Sequence, residues 1–176
     1  MKAVIIYAGK YGATEQYAQW LAERLQLPVL KADDANAAAL AGYDLVILGS
    51  SVYVGQLVIR TWLQAHQVAL LSKKLLLFIV CGSTYQDPPE QRKVLENNLE
   101  PALRKTTRVF FLPGRCIIKN LSWKDRLLLR FGALAAKDPV QKAAMRSGFD
   151  RLDRAALDEL ASAARAIIIP GNPSSM

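Results

Sequence analysis

Four short stretches of the chain, 3–7, 45–48, 75–80 and 109–112, are apolar without alternation and are bounded by Gly, Asp or Pro. A strand with one wet face shows a polar residue at every second position, so unbroken apolar runs of this length point to strands covered on both sides. A weaker fifth run, 28–31, follows the first helical pattern. Between the runs, apolar residues recur at helical spacing: Tyr17, Ala18, Leu21 and Leu25; Leu57, Trp62 and Leu63; Val94, Leu95, Leu99 and Leu103; and Ala156, Leu160, Ala164 and Ile167. Alternating strands and helices require parallel strands joined by right-handed crossovers. The pattern therefore predicts an α/β fold, a doubly wound five-stranded parallel sheet with helices on both faces.

One segment breaks this plan. Residues 114–150 lie where a short loop should join the last strand to the last helix, and such connections usually take ~2 to 6 residues. We read 1–169 as a single domain carrying 114–150 as a long insertion after the last strand. The tail 170–176, with two prolines, a glycine and two serines, is read as frayed.

Composition narrows the class. With 176 residues, 52% of them hydrophobic, the chain fills one core and is not disordered. Cys81, Cys116 and the single His66 are too few for a disulfide framework or a Cys/His zinc site, so no metal is expected and a reducing, cytoplasmic compartment is. The first apolar run is too short for a signal-peptide core, and the longest, 75–81, is far below the ~18 residues that span a bilayer.

The formal charge of +8 is not spread evenly: 114–150 holds eight Lys or Arg against three Asp, a net +5. Within it Ser122-Trp123-Lys124-Asp125 fits a helix-start capping box. Downstream, Trp123, Leu127, Phe131 and Leu134 fall on one helical face with Arg126, Arg130 and Lys137 beside them. Such a helix suits an anionic membrane surface, with peripheral attachment at the inner face of the cell membrane. Equally open is a helix whose Leu127, Leu128 and Phe131 pack inward while the cations face water. The same cations also suit a carboxylated substrate. Nucleic acid is not expected, because no binding module is recognisable. Self-association stays open.

Candidate chemistry lies at the carboxyl ends of the strands, where open parallel sheets bind ligands. The first strand runs into Gly9, Lys10, Tyr11, Gly12, Ala13 and Thr14 at the start of a helix. Backbone amides and the helix dipole there favour a phosphate; Thr14 supplies a cap or hydroxyl and Lys10 a charge, although a plain tight turn reads the same way. The second loop offers Ser51, Val52, Tyr53, Val54 and Gly55, the third Gly82, Ser83, Thr84 and Tyr85. A planar cofactor fits between Tyr53 and Tyr85, and half-buried packing tyrosines fit as well. The first loop lacks both the GxxxxGK[ST] and the GxGxxG arrangements, so Asp33 and Asp34 have no dinucleotide to serve. Ser50 and Ser51 are outside any GxSxG, His66 sits within a helix, and Cys81 has no arginine following it. No catalytic acid or base is identifiable.

The strand-loop-helix start, the Gly-Ser-Ser-Val-Tyr-Val-Gly segment at 49–55 and the third loop together resemble flavodoxin-like domains that bind flavin mononucleotide (FMN). Against that family's phosphate pattern, Ser/Thr-x-Thr-Gly-x-Thr, residues 9–14 match at Gly12 and Thr14, while Gly9 and Tyr11 stand where hydroxyls belong. The long insertion, with Leu121-Ser122-Trp123-Lys124-Asp125-Arg126, is similar to the menaquinone-dependent protoporphyrinogen oxidase branch. That resemblance implies an FMN oxidoreductase of haem biosynthesis passing electrons from a porphyrinogen to a quinone. Its rivals are a flavodoxin-like electron carrier without its own substrate and an interaction module without flavin.

Overall fold

The computed structural model describes residues 1–135 and 139–169. The chain opens on β1 (Ala3–Ala8), enters α1 (Ala13–Leu25), returns as β2 (Val29–Lys31), makes a short α2 (Ala37–Ala41) and runs out along β3 (Leu45–Tyr53). It folds back as β4 (Gln56–Leu57), then continues through α3 (Arg60–Leu71), β5 (Lys74–Cys81), α4 (Pro88–Asn98), α5 (Pro101–Thr106) and β6 (Thr107–Pro113). An excursion of β7 (Arg115–Cys116), α6 (Trp123–Ala135), α7 (Pro139–Ser147) and β8 (Phe149–Asp150) precedes the closing helix α8 (Asp158–Ile168).

The fold is flavodoxin-like α/β, with parallel strands ordered β2-β1-β3-β5-β6. Order reverses between β1 and β3, so a crevice opens beyond their carboxyl ends. Pleating divides β1 between two cores: Ala3, Ile5 and Tyr7 pack with α1 and α8, while Val4 and Ile6 pack with the layer holding Leu40, Leu63, Leu70 and Val94. Burial on both faces is why β1 is apolar at every position.

Several local expectations are corrected. Leu57 belongs to β4 instead of a helix; it pairs antiparallel with Val52 across a two-residue turn, Val54-Gly55, and helix α3 starts at Arg60. Both turn residues have positive φ, 50° and 74°, as the tight hairpin twist demands. The 94–103 pattern is two helices, because Glu100 precedes Pro101 and takes an extended conformation (ψ 146°), which ends α4 before α5 begins. Ala156 falls in a 3₁₀ turn ahead of α8. Helix α2, unforeseen, starts where the Asn36 side chain accepts the Ala39 amide at 2.9 Å. The tail 170–176 lies outside the described residues.

The excursion leaves and returns through one ribbon, Arg115 opposite Asp150 and Cys116 opposite Phe149, and the Arg151 amide donates to the Gly114 carbonyl at 3.2 Å. Buried Tyr17 ties both feet to α1: its hydroxyl donates to the Pro113 carbonyl at 2.8 Å and accepts the Asp153 amide at 3.0 Å.

Candidate functional site

Beyond the ends of β1, β3 and β5, and under the excursion, lies a mainly apolar cavity of about 650 Å³. Lys10 and Tyr11 line it from the first loop and Ala13 and Thr14 from the start of α1; Ser51, Val52 and Tyr53, expected on a loop, line it from the end of β3, Val54 from the hairpin turn that follows, and Gly82 from the loop after β5. The volume is within the ~300 to 1,000 Å³ of small-molecule sites.

Other expected residues act through backbone or stand aside. Gly12 is the N-cap of α1 at φ 80°, a conformation that penalises any side chain. Gly9 makes room for Thr14, since a Cβ there would stand 2.8 Å from the Thr14 Cβ and Oγ1. The Gly55 carbonyl accepts from Asn98 Nδ2 at 3.0 Å, and Asn98 Oδ1 accepts the Leu57 amide at 2.8 Å, so one buried side chain pins the hairpin that presents Tyr53. Thr84 and Tyr85 belong to a 3₁₀ turn outside the cavity lining, with the Tyr85 carbonyl accepting from Gln91 Nε2 at 2.8 Å. The Ser83 side chain is not among those described. The ring lying against the third loop is Phe149, whose Cζ would stand 3.2 Å from a Cβ on Gly82.

Thr14 does not cap α1. It sits inside the first turn, 1% exposed, and its Oγ1 has no hydrogen-bond partner among the described residues. The first helical bond runs from the Gln16 amide to the Gly12 carbonyl at 3.0 Å, so the preceding amides lack intrahelical acceptors, and no side chain among the described residues caps them. Buried polar groups are normally satisfied. An orphan hydroxyl beside orphan amides, on the wall of a cavity, is a cradle for an anion.

Asp125, read from sequence only as part of a cap, is the centre of a second cluster. The Ser122 Oγ accepts the Asp125 amide at 3.2 Å, as a capping box requires. The Asp125 carboxylate, however, turns toward the domain, 5% exposed, and accepts from the Tyr11 hydroxyl, from the Tyr53 hydroxyl at 2.5 Å and from Lys10 Nζ at 2.9 Å. Hydrogen bonds from Tyr11, Tyr53 and Lys10, in that order, hold its carboxyl well below the usual carboxylate range. The same contact raises the Lys10 ammonium, which also lies 3.6 Å from the Tyr53 ring centroid. One carboxylate thus latches α6 across two strand-end loops. Cys81, at the cavity floor, has its thiol pushed up to about 12 by burial and is no nucleophile at neutral pH.

Helix α6 is inverted relative to an ordinary surface helix. Its domain-facing positions carry Asp125 and Ala133, both buried, with Leu129 and Gly132 on the cavity wall. Its large apolar residues look outward: Trp123 is 70% exposed, Phe131 61% and Leu134 70%, with Leu127 and Leu128 also exposed. Leu127, Leu128 and Phe131 are thus not buried against the domain, although Leu128 and Phe131 also reach the cavity. Arg130 is exposed beside this face. The Arg126 guanidinium is spent on the turn before the helix, donating to the Lys119 carbonyl at 2.8 Å and the Leu121 carbonyl at 3.1 Å. Lys137 lies outside the described residues. Among the described residues no helix is long and apolar enough to cross a membrane, and no group of His, Cys, Asp or Glu is placed to hold a metal.

Among solved structures, oxidised flavodoxin 2 from Bacillus cereus matches at 21% identity and a TM-score of 0.51, over 65% of this chain and 85% of its own. Rubredoxin oxygen:oxidoreductase from Desulfovibrio gigas matches at 14% identity and a TM-score of 0.51, over 95% of this chain and 37% of its own. At these identities the likeness is one of fold. No curated protein matches at the level of sequence. The flavodoxin domain model, in contrast, matches residues 4–142, more than half the chain, and the protein belongs to the flavodoxin domain family.

Proposed function

We propose that the protein is an FMN-dependent oxidoreductase, resembling menaquinone-dependent protoporphyrinogen oxidase, that works at an anionic membrane surface and delivers electrons to a quinone. One observation carries this reading: α6 is both a wall of the cleft and the bearer of the exposed apolar stripe. Phe131 lines the cavity while 61% exposed, so it stands at the rim between cleft and surroundings. A lipid-soluble acceptor in a bilayer touching that stripe has a short route to the cavity.

The residues present fit FMN. The orphan Thr14 hydroxyl and the amides at the start of α1 suit its phosphate, and the backbone of 51–54 with Gly82 suits the edge of its ring. Bound there, the flavin supplies the redox chemistry. The chain's own contribution is position and exclusion of water. Asp125 fixes Tyr11, Tyr53 and Lys10 in one arrangement, and Leu128, Leu129 and Phe149 screen the cavity. The cations near α6 suit lipid phosphates or the carboxylates of a porphyrinogen substrate.

The test uses purified protein given FMN, with anionic vesicles carrying a menaquinone analogue. Trp123→Ser combined with Leu134→Ser removes two exposed side chains that do not line the cavity, each worth ~1.5 to 3 kcal/mol when buried. Flavin uptake should persist, while vesicle co-sedimentation and quinone reduction fall at least tenfold. A wild-type protein that takes up no FMN, or vesicle binding unchanged in the double variant, sinks the proposal.

A further inference from the structure

We propose that Arg115 is the phosphate-binding cation of the cleft: carried in by the excursion, its guanidinium completes a phosphate-monoester site with the Thr14 hydroxyl and the first amides of α1. The identity of the monoester as FMN rests on the function proposed above; the anion site itself does not.

A phosphate monoester is close to doubly charged at neutral pH. The side chains nearest in sequence cannot meet that charge. Gly9 has none, and the Tyr11 hydroxyl is committed to Asp125. Lys10 is drawn to the same carboxylate at 2.9 Å and lies over Tyr53, on the ring side of the cleft. Glu15, the acid in the first turn of α1, accepts the Tyr7 hydroxyl at 2.7 Å. What remains at the helix start is the buried Thr14 Oγ1, which has no partner among the described residues.

Arg115 arrives from the far side of the cleft. Its Nη2 stands 3.6 Å from where a Cβ on Gly12 would be, so the guanidinium lies directly against the N-cap of α1, and the residue lines the cavity. Its acidic neighbour is distant and wet: Asp150 Oδ2 is 3.9 Å from Nη1, on a carboxylate 54% exposed. A pair so loose contributes little and leaves the planar fork able to take two phosphate oxygens. The cation therefore replaces the hydroxyls that the family pattern places at positions 9 and 11, and it sits on the ribbon that closes the excursion.

Flavin fluorescence quenching measures the affinity of FMN and of riboflavin, which lacks the phosphate, for wild type, Arg115→Ala, Arg115→Lys and a charge control, Lys124→Ala. Loss of a charge-assisted contact should weaken FMN about ten- to hundredfold in Arg115→Ala, less in Arg115→Lys, and not in Lys124→Ala. Riboflavin affinity should be unchanged, and the gap between the two flavins should narrow with salt in wild type only. FMN affinity within twofold of wild type in Arg115→Ala, or equal losses for both flavins, overturns the proposal. In parallel, thermal stabilisation by inorganic phosphate at constant ionic strength is compared in the same proteins without flavin. A wild type that binds neither flavin refutes the FMN reading alone; stabilisation by phosphate that depends on Arg115 then upholds the anion site, and stabilisation that is absent or independent of Arg115 overturns it. Should Arg115→Ala fail to fold, Arg115→Lys and Arg115→Gln decide by the same comparisons.

Discussion

Replacing Asp125 by Asn keeps the shape of the side chain and removes its charge and half of its accepting capacity. The amide oxygen can still accept from one phenol, but Nδ2 would point a donor at the remaining donors, so at least one phenol and the Lys10 ammonium lose their partner. A hydrogen bond to a charged group is worth ~1.5 to 3 kcal/mol. Lys10 is 39% exposed, so its share is screened to below about 1 kcal/mol. Losing one strong and one weak contact gives about 2 to 3 kcal/mol, and it falls on the docking of α6, because these contacts join only α6 to the loops. Native-state hydrogen exchange reads that quantity locally. Amides of α6 should exchange about thirty- to a hundred-and-fiftyfold faster in Asp125→Asn, with β1, β3 and β5 unaffected. The acid dependence follows the same logic. Because the folded carboxyl titrates below its ordinary value of ~3.9, its contribution is complete above that pH and disappears only as pH falls toward the folded value. Wild-type α6 protection should be flat from pH 5 to 8 and loosen only well below pH 4, whereas the Asn variant shows no such acid step. Unchanged α6 exchange in Asp125→Asn, or a uniform loss across the sheet, refutes the latch.

Tyr17→Phe should lower global stability by about 2 to 3 kcal/mol, since the Pro113 carbonyl and Asp153 amide lose their shared buried partner; a urea midpoint within error of wild type at equal slope would count against it. Val54→Asn should raise stability by about 1 kcal/mol, because a β-branched residue at φ 50° is strained and Asn tolerates that region, and Val54 is 66% exposed so little burial is lost; a lower melting temperature would show that the turn holds no strain.

The sheet was readable because double burial leaves little choice of residue: β1, β5 and the first four positions of β3 are almost wholly apolar, and among the described residues no helix of comparable burial is so short. The excursion was readable as excess length. Its chemistry was not. Asp125 satisfies a local capping rule, and nothing local reveals that its carboxylate is turned 114 residues back toward Tyr11 and 72 toward Tyr53. Lys10 looked like a phosphate ligand because it is adjacent in sequence to the helix start, whereas the carboxylate from α6 offers it a closer charge. Arg115 was one cation among eight until the ribbon placed it against Gly12. The outward face of α6 also needed three dimensions: helical periodicity identifies the apolar stripe but is silent on which side the domain lies.

The ribbon that pairs Arg115 with Asp150 brings the two feet of the excursion side by side on the rim of the sheet. A segment whose ends are already neighbours can lengthen, shorten or be exchanged with almost no change in closure entropy for the remainder, which grows only logarithmically with length. The sheet, its register and both cores are completed by β6 and α8 without a residue from between those feet, apart from what roofs the cleft. The excursion is thus a cassette: the same sheet can receive a different roof, and with it a different wall for the cleft, without renegotiating how the rest of the chain folds.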